Sequence, residues 1–564
     1  MNSLMSSFDW AIIVIYFIAV VSVGIVAGLL RRKNERGGEG GHYFLAGNTL
    51  KWPVIGLAMF AANISTVHLV SLAEAAYKYG LVYGNFEWMA GFTLILLSLF
   101  FAPLYMRSRV TTAPDFLERR FNRSCRDVLS IISLFSAIVI HMGVALYTAA
   151  WVLRGILGLA PGATIFGVDA LLLFIAVLGI LTGIYTMIGG LLAVVWTESM
   201  QTILLLVGAV VITVAAYVKI GGWTELAHTL ASHPHPLATV ADSHVTWSTG
   251  NFLNVARDGK DSSGLPWYSI LLGYPVIGIW YFCCDQTIVQ RVLAAKDEKQ
   301  ARLGPLFCAF LKIFPVFLFV LPGVICVALV QKNLFNGAAP QTAADTYTFM
   351  LTHLLPVGLK GLVAAALLAA AMQTCSAALN STATLVAYDI FKRYKPGLGD
   401  PELVRIGKIT TIAATLLAIV ASPLFGHYTT IFEGINKLIS YVSPPVTAVF
   451  LLGIFWKRAS SKAAFITLIS GIILGFVTFY LDWNNIYRSD FMLMAFWLLV
   501  ACLVIMVTTT FIFPESLKDE ARLLVWKNWR EPLRGETNGR GLGNYRMASV
   551  AVLIVFITLY LIFH

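Results

Sequence analysis

Fourteen stretches of about twenty predominantly apolar residues, separated by short polar connections, constrain this chain more than any other feature, because a helix needs about that length to cross the ~30 Å hydrocarbon core of a bilayer. They lie near residues 9–30, 51–76, 80–106, 127–154, 164–188, 191–218, 266–290, 304–331, 356–390, 404–424, 428–456, 463–481, 491–513 and 548–563. Composition agrees with that reading. Hydrophobic residues make up 58% of the 564 and charged residues only 12%, about half of what a water-covered surface requires. The expectation is an all-α polytopic membrane protein of about 14 transmembrane helices, a single membrane domain over 1–564.

Orientation follows from the positive charges, since loops retained on the cytoplasmic side carry the excess of Lys and Arg. The first run has no basic residue before it and is followed by Arg31, Arg32, Lys33 and Arg36. It therefore reads as an extra N-terminal helix, 9–30, with its N-terminus outside, and not as a cleaved signal. Alternating from there, the loops at 31–42, 107–126, 291–303, 391–408, 457–462 and 514–547 hold 29 Lys and Arg, while the loops opposite hold 8. A miscounted span would have mixed the two sets. Both termini are expected outside a cell membrane, with the basic face cytoplasmic. This clustering between apolar runs accounts for the net charge of +11 without nucleic acid.

Seven cysteines, most of them within apolar runs, form no spaced framework, so no disulfide is expected. The outer stretch 219–265 carries His228, His233 and His235, whose spacing matches no common metal site. The inner stretch 514–547, with Trp526, Trp529 and seven basic residues, reads as a helix lying on the inner leaflet. Neither stretch resembles an enzyme domain, and no nucleophile and base pair suggests covalent chemistry.

Function is to be sought where polar residues interrupt the apolar runs, since irregular backbone persists in hydrocarbon only where it lines a cavity or a site. Ala61-Ala62-Asn63-Ile64-Ser65-Thr66 places small and polar residues halfway through the second run, and His68 follows within about a turn. Glu87 sits inside the third run and Lys312 inside the eighth. An ionisable group at that depth costs about 3 kcal/mol on insertion scales, so such groups are paired or functional. A salt bridge between Glu87 and Lys312 is the structural alternative to a binding role. His141, alone on an apolar helix, reads as a packing residue.

The seventh run ends Trp280-Tyr281-Phe282-Cys283-Cys284-Asp285-Gln286. Aromatic rings beside an acid and an amide suit a sugar, whose C–H faces stack on rings while its hydroxyls seek polar partners. An interfacial aromatic belt would read the same way. The ninth run carries Gln373, Thr374 and Ser376, then Asn380-Ser381-Thr382. Hydroxyls and freed carbonyls at a helix break there would suit Na⁺.

Phe44-Leu45-Ala46-Gly47, Ala62-Asn63-Ile64-Ser65, Phe86-Glu87-Trp88, the run Thr112 to Phe121, Ile188-Gly189-Gly190-Leu191, Asp285-Gln286 with Val289-Gln290-Arg291, Leu379-Asn380-Ser381-Thr382-Ala383-Thr384 and Phe455-Trp456-Lys457-Arg458 together resemble the sodium/solute symporter family, in particular its sodium/glucose cotransporter branch. The resemblance runs from about residue 42 to 475. It implies a LeuT-type core of two inverted five-helix repeats with discontinuous helices, repeat 1 at 51–218 and repeat 2 at 266–456, followed by extra C-terminal helices over 463–563. It implies alternating access about a midplane site, with sugar contacts at His68, Glu87, Tyr281, Lys312 and Asn436. Gates would fall at Leu72, Phe86, Tyr281, Phe282 and Phe432. The family's sodium site would use backbone oxygens of Ala61, Ile64 and Ala370 and side chains of Gln373 and Thr374, with Glu198 at a possible second Na⁺ site.

Three positions depart from the family pattern. Gln373 stands where a hydroxyl is usual, Glu198 where relatives carry Asp, and Asn436 where sugar transporters often have Gln. The expected function is a sodium-coupled importer of a sugar or polyol, with Na⁺ as coupling ion and no organic cofactor. Rival readings are a proton-coupled or uncoupled sugar transporter, a transporter-like sensor, and a carrier of a small carboxylate.

Overall fold

The structure is a computed structural model and describes residues 5–33, 44–160, 162–232, 252–259, 263–427, 431–484, 486, 490–534 and 541–564. Among these, 13 helical runs are long and apolar enough to cross a membrane. Twelve of them match expected spans one for one. The expected second and third spans are accounted for differently, by a shorter helix, Trp52–Asn63, and one long run, His68–Ser108. The reason is a break in the second span. Helix α1 (Ser7–Lys33) precedes α2 (Trp52–Asn63), which stops at an extended Ile64, and α3 (Thr66–Tyr79) resumes beyond Ser65. A turn of 3₁₀ helix, Gly80–Gly84, then leads into α4 (Asn85–Leu96), which continues through a π-helical turn to Ser108.

On the far side of that run, α5 (Ala113–Arg120) is a short connecting helix. Next, α6 (Arg123–Phe135) and α7 (Val144–Ile156) form one rod joined by a π-helical segment, Ser136–Gly143. A two-residue hairpin, Thr164–Ile165 with Val168–Asp169, occupies the expected start of the fifth span. The Asp169 carboxylate then caps α8 (Ala170–Ile220) by accepting from the N–H of Leu171 at 2.9 Å. Both the fifth and sixth spans lie in α8, separated by a kink at Gly190 with φ 63° and ψ −167°. Only glycine adopts that conformation without strain, which explains the Gly189-Gly190 pair.

Beyond α9 (Trp223–Ser232), the seventh span holds a second break. Helix α10 (Trp267–Ile279) runs through a π-helical turn, Trp280–Cys284, to an extended Asp285, and α11 (Gln286–Leu293) follows. The eighth span is α12 (Glu298–Leu311) and α13 (Leu321–Gln331), again with a π-helical turn between. After α14 (Thr346–Leu354) comes α15 (Leu359–Thr384), in which every residue from Val363 to Thr384 is buried. Its run of alanines lets neighbouring backbones approach closely. Four further helices complete the bundle: α16 (Asp400–Ala421), α17 (Ile431–Phe455), α18 (Ser461–Trp483) and α19 (Phe491–Ile512). The last, α20 (Tyr545–Ile562), packs beside α4 and α12.

Two expectations are corrected. The ninth span is unbroken. Its hydroxyls bond back along the helix, Ser376 Oγ to Gln373 O at 2.9 Å and Thr384 Oγ1 to Asn380 O at 2.8 Å. Such hydroxyls satisfy themselves within a helix and do not mark its interruption. The described part of 514–547 is also not a surface helix but a strap of short 3₁₀ turns. Trp526 is buried and pins the strap, its indole N–H donating to Phe100 O at 3.1 Å and its backbone N–H to Ile454 O at 2.9 Å. Trp529, by contrast, is exposed. His233 and His235 lie outside the described residues.

The N-terminal helix is tied to the centre. Asp9 is fully buried, and its carboxylate accepts from the N–H groups of Gly358 at 2.7 Å and Gly361 at 2.9 Å, capping α15 from another helix.

Candidate functional site

The site begins at the break between α2 and α3. In an uninterrupted helix the N–H of Ser65 would bond Ala61 O and that of His68 would bond Ile64 O. Here the Ser65 N–H reaches His68 Nδ1 at 3.2 Å and the His68 N–H reaches Ser65 O at 2.9 Å. This reciprocal cap starts α3 and takes the helical donors away from the carbonyls of Ala61 and Ile64. One helix away, the Thr66 hydroxyl donates to Leu367 O at 2.7 Å. That bond holds the break against α15, about one turn before Ala370 and two before Thr374.

The residues expected to hold sodium lie on the broken span and on α15, the two elements that this bond joins. The Thr374 hydroxyl is 3.3 Å from Ala370 O, and Ala61, Ile64 and Ala370 are wholly buried. The carbonyls freed at Ala61 and Ile64 are hard oxygen donors of the kind Na⁺ takes, whereas Ala370 O stays within the unbroken α15 and accepts from the Thr374 hydroxyl. Gln373 differs from the other four. Its amide nitrogen points to the backbone carbonyl of Glu198 at 3.4 Å. Glu198 itself is fully buried and paired with Arg291 of α11 at 2.7 Å, so its charge already has a cation and a second ion would compete with that guanidinium.

Next to the break, the membrane-depth charges converge. Lys312 Nζ lies 2.6 Å from Glu87 Oε2, and both side chains are almost completely buried. Lys312 also donates to Asn63 Oδ1, and His68 Nε2 faces the other Glu87 oxygen at 3.8 Å. The salt bridge offered as the structural alternative therefore exists, yet it lines a cavity of about 860 Å³ counted to its open mouth. A buried pair with an open side is positioned to exchange part of its hydrogen bonding for a guest's hydroxyls.

Of the expected substrate and gate residues, the cavity wall brings together His68, Phe86, Glu87, Tyr281, Phe282, Lys312 and Asn436, and it includes Thr374. Leu72 is buried in α3 and does not reach the wall. The Phe432 side chain lies outside the described residues. The same wall contains residues that sequence reasoning missed: Asn63, Ser65, Ile140, His141, Val144, Tyr274, Ile277, Gly278, Ile435 and Ile439. Asn63 was legible within the interruption. Tyr274 was not, since it sits among apolar neighbours and its hydroxyl is turned to Phe86 O at 2.8 Å. Trp280 and Phe282 are buried, which excludes the aromatic-belt reading of that run.

The second break follows directly on Tyr281 and Phe282 of the cavity wall. The extended Asp285 caps α11 by accepting from the Thr287 N–H at 2.8 Å, and all eight residues of α11 are buried. Gln286 Oε1 accepts from the Ala113 N–H at 2.8 Å, while Gln290 Nε2 donates to Phe44 O and to Thr384 Oγ1, each at 2.7 Å. With Arg291 on Glu198, the half-helix α11 is thus tied to α5, α8, α15 and the segment ahead of α2. These polar contacts accompany apolar ones, since Ile288, Val289, Val292 and Leu293 of the same half-helix lie in the hydrophobic core.

Comparison with known proteins follows from this geometry. The model of the sodium:solute symporter family matches residues 43–471. Sodium/glucose cotransporter 2 of Rattus norvegicus is 34% identical over 493 residues, covering 83% of this chain and 70% of the relative. Sodium/myo-inositol cotransporter 2 of Sus scrofa is 32% identical over 495 residues, covering 84% and 70%. Among solved structures, the substrate-bound outward-open state of a Na⁺-coupled sialic acid symporter superposes with a TM-score of 0.73 at 24% identity, over 91% of this chain and 100% of that one.

Proposed function

The chain is a member of the sodium:solute symporter family, and on that premise we propose a working cycle in which the two interrupted helices move a sugar or polyol together with Na⁺. It is a transporter with sodium as coupling ion, not an enzyme. The observation that carries the substrate reading is the cavity wall itself, where Glu87, Lys312, His68 and Asn63 meet beside the break at Ile64–Ser65. Sugar contacts are assigned to His68, Glu87, Tyr281, Lys312 and Asn436. Ion contacts are assigned to the carbonyls of Ala61, Ile64 and Ala370 and the Thr374 hydroxyl.

In this cycle Na⁺ joins α2 and α3 to α15, which favours the form with the cavity open to the outside. The membrane potential adds about 2.3 kcal/mol per charge per 100 mV in the inward direction. The guest then exchanges hydrogen bonds with the Glu87–Lys312 pair. Release follows when α11 and Tyr281 swing away, parting the contacts of Gln286, Gln290 and Arg291. The repeats are assigned to 51–218 and 266–456, with both termini outside the cell membrane and the strap of 514–547 cytoplasmic, in keeping with the charge asymmetry of the loops.

Uptake of a labelled panel of hexoses and cyclitols into proteoliposomes, under inward gradients of Na⁺, K⁺ or H⁺, tests the proposal. Accumulation driven by Na⁺ alone is expected. Equal uptake in all three gradients would refute coupling, and uptake driven by H⁺ alone would transfer the coupling to protons.

A further inference from the structure

We propose that His141, with Asp285 behind it, is a second hydroxyl-binding pole of the substrate cavity and a determinant of which polyol is carried. The inference rests on the substrate reading above and adds a residue and a wall to it.

His141 lies in the π-helical segment between α6 and α7, and Ile140, His141 and Val144 of that rod all line the cavity. A π-helical turn inserts one residue into the helical register and is a common device for re-aiming side chains at functional sites. Without it, an imidazole on so apolar a helix would be expected in a packing interface. His141 is 9% exposed, and among the described residues its Nε2 has no hydrogen-bond partner. A buried imidazole nitrogen left unbonded is costly unless a ligand or water completes it.

Two groups surround it. Asp285 Oδ2 stands 3.5 Å from Nε2, across the second helix break, too long for a tight hydrogen bond. The Tyr281 ring meets the imidazole edge-on at 5.7 Å between centroids. The other Asp285 oxygen is committed to capping α11. A carboxylate at that distance orients the imidazole. That arrangement suits a hydroxyl, which can accept from or donate to a ring nitrogen.

The Glu87–Lys312 pole is built from α2, α3, α4 and α12, whereas the His141–Asp285 pole is built from α6–α7 and the α10–α11 break. A guest touching both must carry hydroxyls on more than one edge, as a hexose or a cyclitol does. Simple alcohols and monocarboxylates do not meet that requirement.

The test is sodium-driven uptake by the full chain in proteoliposomes, comparing wild type, His141→Ala and His141→Gln. The probes are glucose, myo-inositol and the set of monodeoxyglucoses. His141→Ala is expected to raise KM for glucose about tenfold, one hydrogen bond's worth, while leaving KM for one particular deoxyglucose unchanged because the contacted hydroxyl is already missing. His141→Gln, which retains a donor and an acceptor, is expected to recover most of the loss and to shift the glucose to myo-inositol ratio. The half-saturating Na⁺ concentration should stay the same in both. A uniform KM change across every deoxyglucose, or none, in whichever variant inserts would overturn the role of His141 alone. Absence of sodium-driven uptake of any polyol by the wild type would overturn the substrate reading and His141's part with it.

Discussion

Replacing Glu87 and Lys312 singly and together separates their part in the fold from their part in transport. The two charges are 2.6 Å apart with 2% and 1% of their side chains exposed. Their other polar neighbours are Asn63 Oδ1 on Lys312 and His68 Nε2 at 3.8 Å from Glu87. Breaking a buried pair by neutralising one member leaves the other charge without compensation and costs about 3–5 kcal/mol. Asn63 stays on the ammonium in Glu87→Gln, so that variant should fall near the lower limit, about 3 kcal/mol. Lys312→Met should cost a similar amount, since Glu87 then keeps only His68.

Removing both charges eliminates the desolvation penalty together with the attraction, so Glu87→Gln with Lys312→Met should lie within about 1 kcal/mol of wild type. The coupling read from the cycle is then several kcal/mol. Equilibrium unfolding in mixed micelles measures it, and uptake of the sugar panel measures the rest. All three variants should fail to transport, including the stable double variant, because the groups that would bind hydroxyls are gone. Single costs below about 1 kcal/mol that simply add in the double variant would show the pair to be solvated through the cavity, and the argument from burial would be wrong. Normal transport by the double variant would remove both residues from the substrate site.

The remaining predictions concern the ion, the packing, the strap and acid. Thr374→Ala removes one oxygen from the sodium junction and should raise the half-saturating Na⁺ at least about tenfold with little effect on sugar binding at saturating Na⁺, measured as sodium-dependent uptake. Gly273→Ala places a methyl group 2.1 Å from Met492 O, so α10 and α19 must separate; a loss of about 1–3 kcal/mol is expected in the same unfolding assay. Trp526→Ala should release the strap from Phe100 and Ile454 and increase proteolysis within 514–534 without lowering the affinity for sugar. Glu225, on the exposed helix α9, is held below its ordinary value of 4.5 by the hydrogen bond and charge of Lys332. Its contribution is therefore full above about pH 4.5 and lost as pH falls through the lower folded value. Hydrogen exchange of α9 amides, corrected for intrinsic rates, should show that acid loss in wild type and not in Glu225→Gln.

How much of this was legible in the sequence depended on what each feature costs in hydrocarbon. Spans were legible because the bilayer demands length and apolarity from every one of them, and loop polarity followed from clustered Lys and Arg. The break at Ile64–Ser65 was legible because polar residues in mid-membrane have few reasons to be there. Asp285 carried the same signal in the seventh span, but it was read as part of an aromatic, sugar-facing run. Nothing in Cys283-Cys284-Asp285-Gln286 announces that the backbone becomes extended, since no proline or glycine marks the place. The hydroxyls of the ninth span misled in the opposite sense: Ser and Thr bond their own helix as readily as they mark its end.

The site shows the same division. Glu87, Lys312 and His68 declared themselves by the cost of burying charge, and the structure pairs all three. Their neighbours His141 and Tyr274 gave no such signal, because a single polar residue on an apolar helix is equally compatible with packing. What turns His141 toward the cavity is a π-helical register shift, and such a shift is set by packing between α6–α7 and its neighbours, not by any residue within the turn. Helix irregularities of this kind recur in the structure at Leu97–Phe101, Trp280–Cys284, Val316–Val320 and Leu385–Phe391. The two at Ser136–Gly143 and Trp280–Cys284 both place residues on the cavity wall. Periodicity in the sequence, which reports regular helices, is least informative at such places.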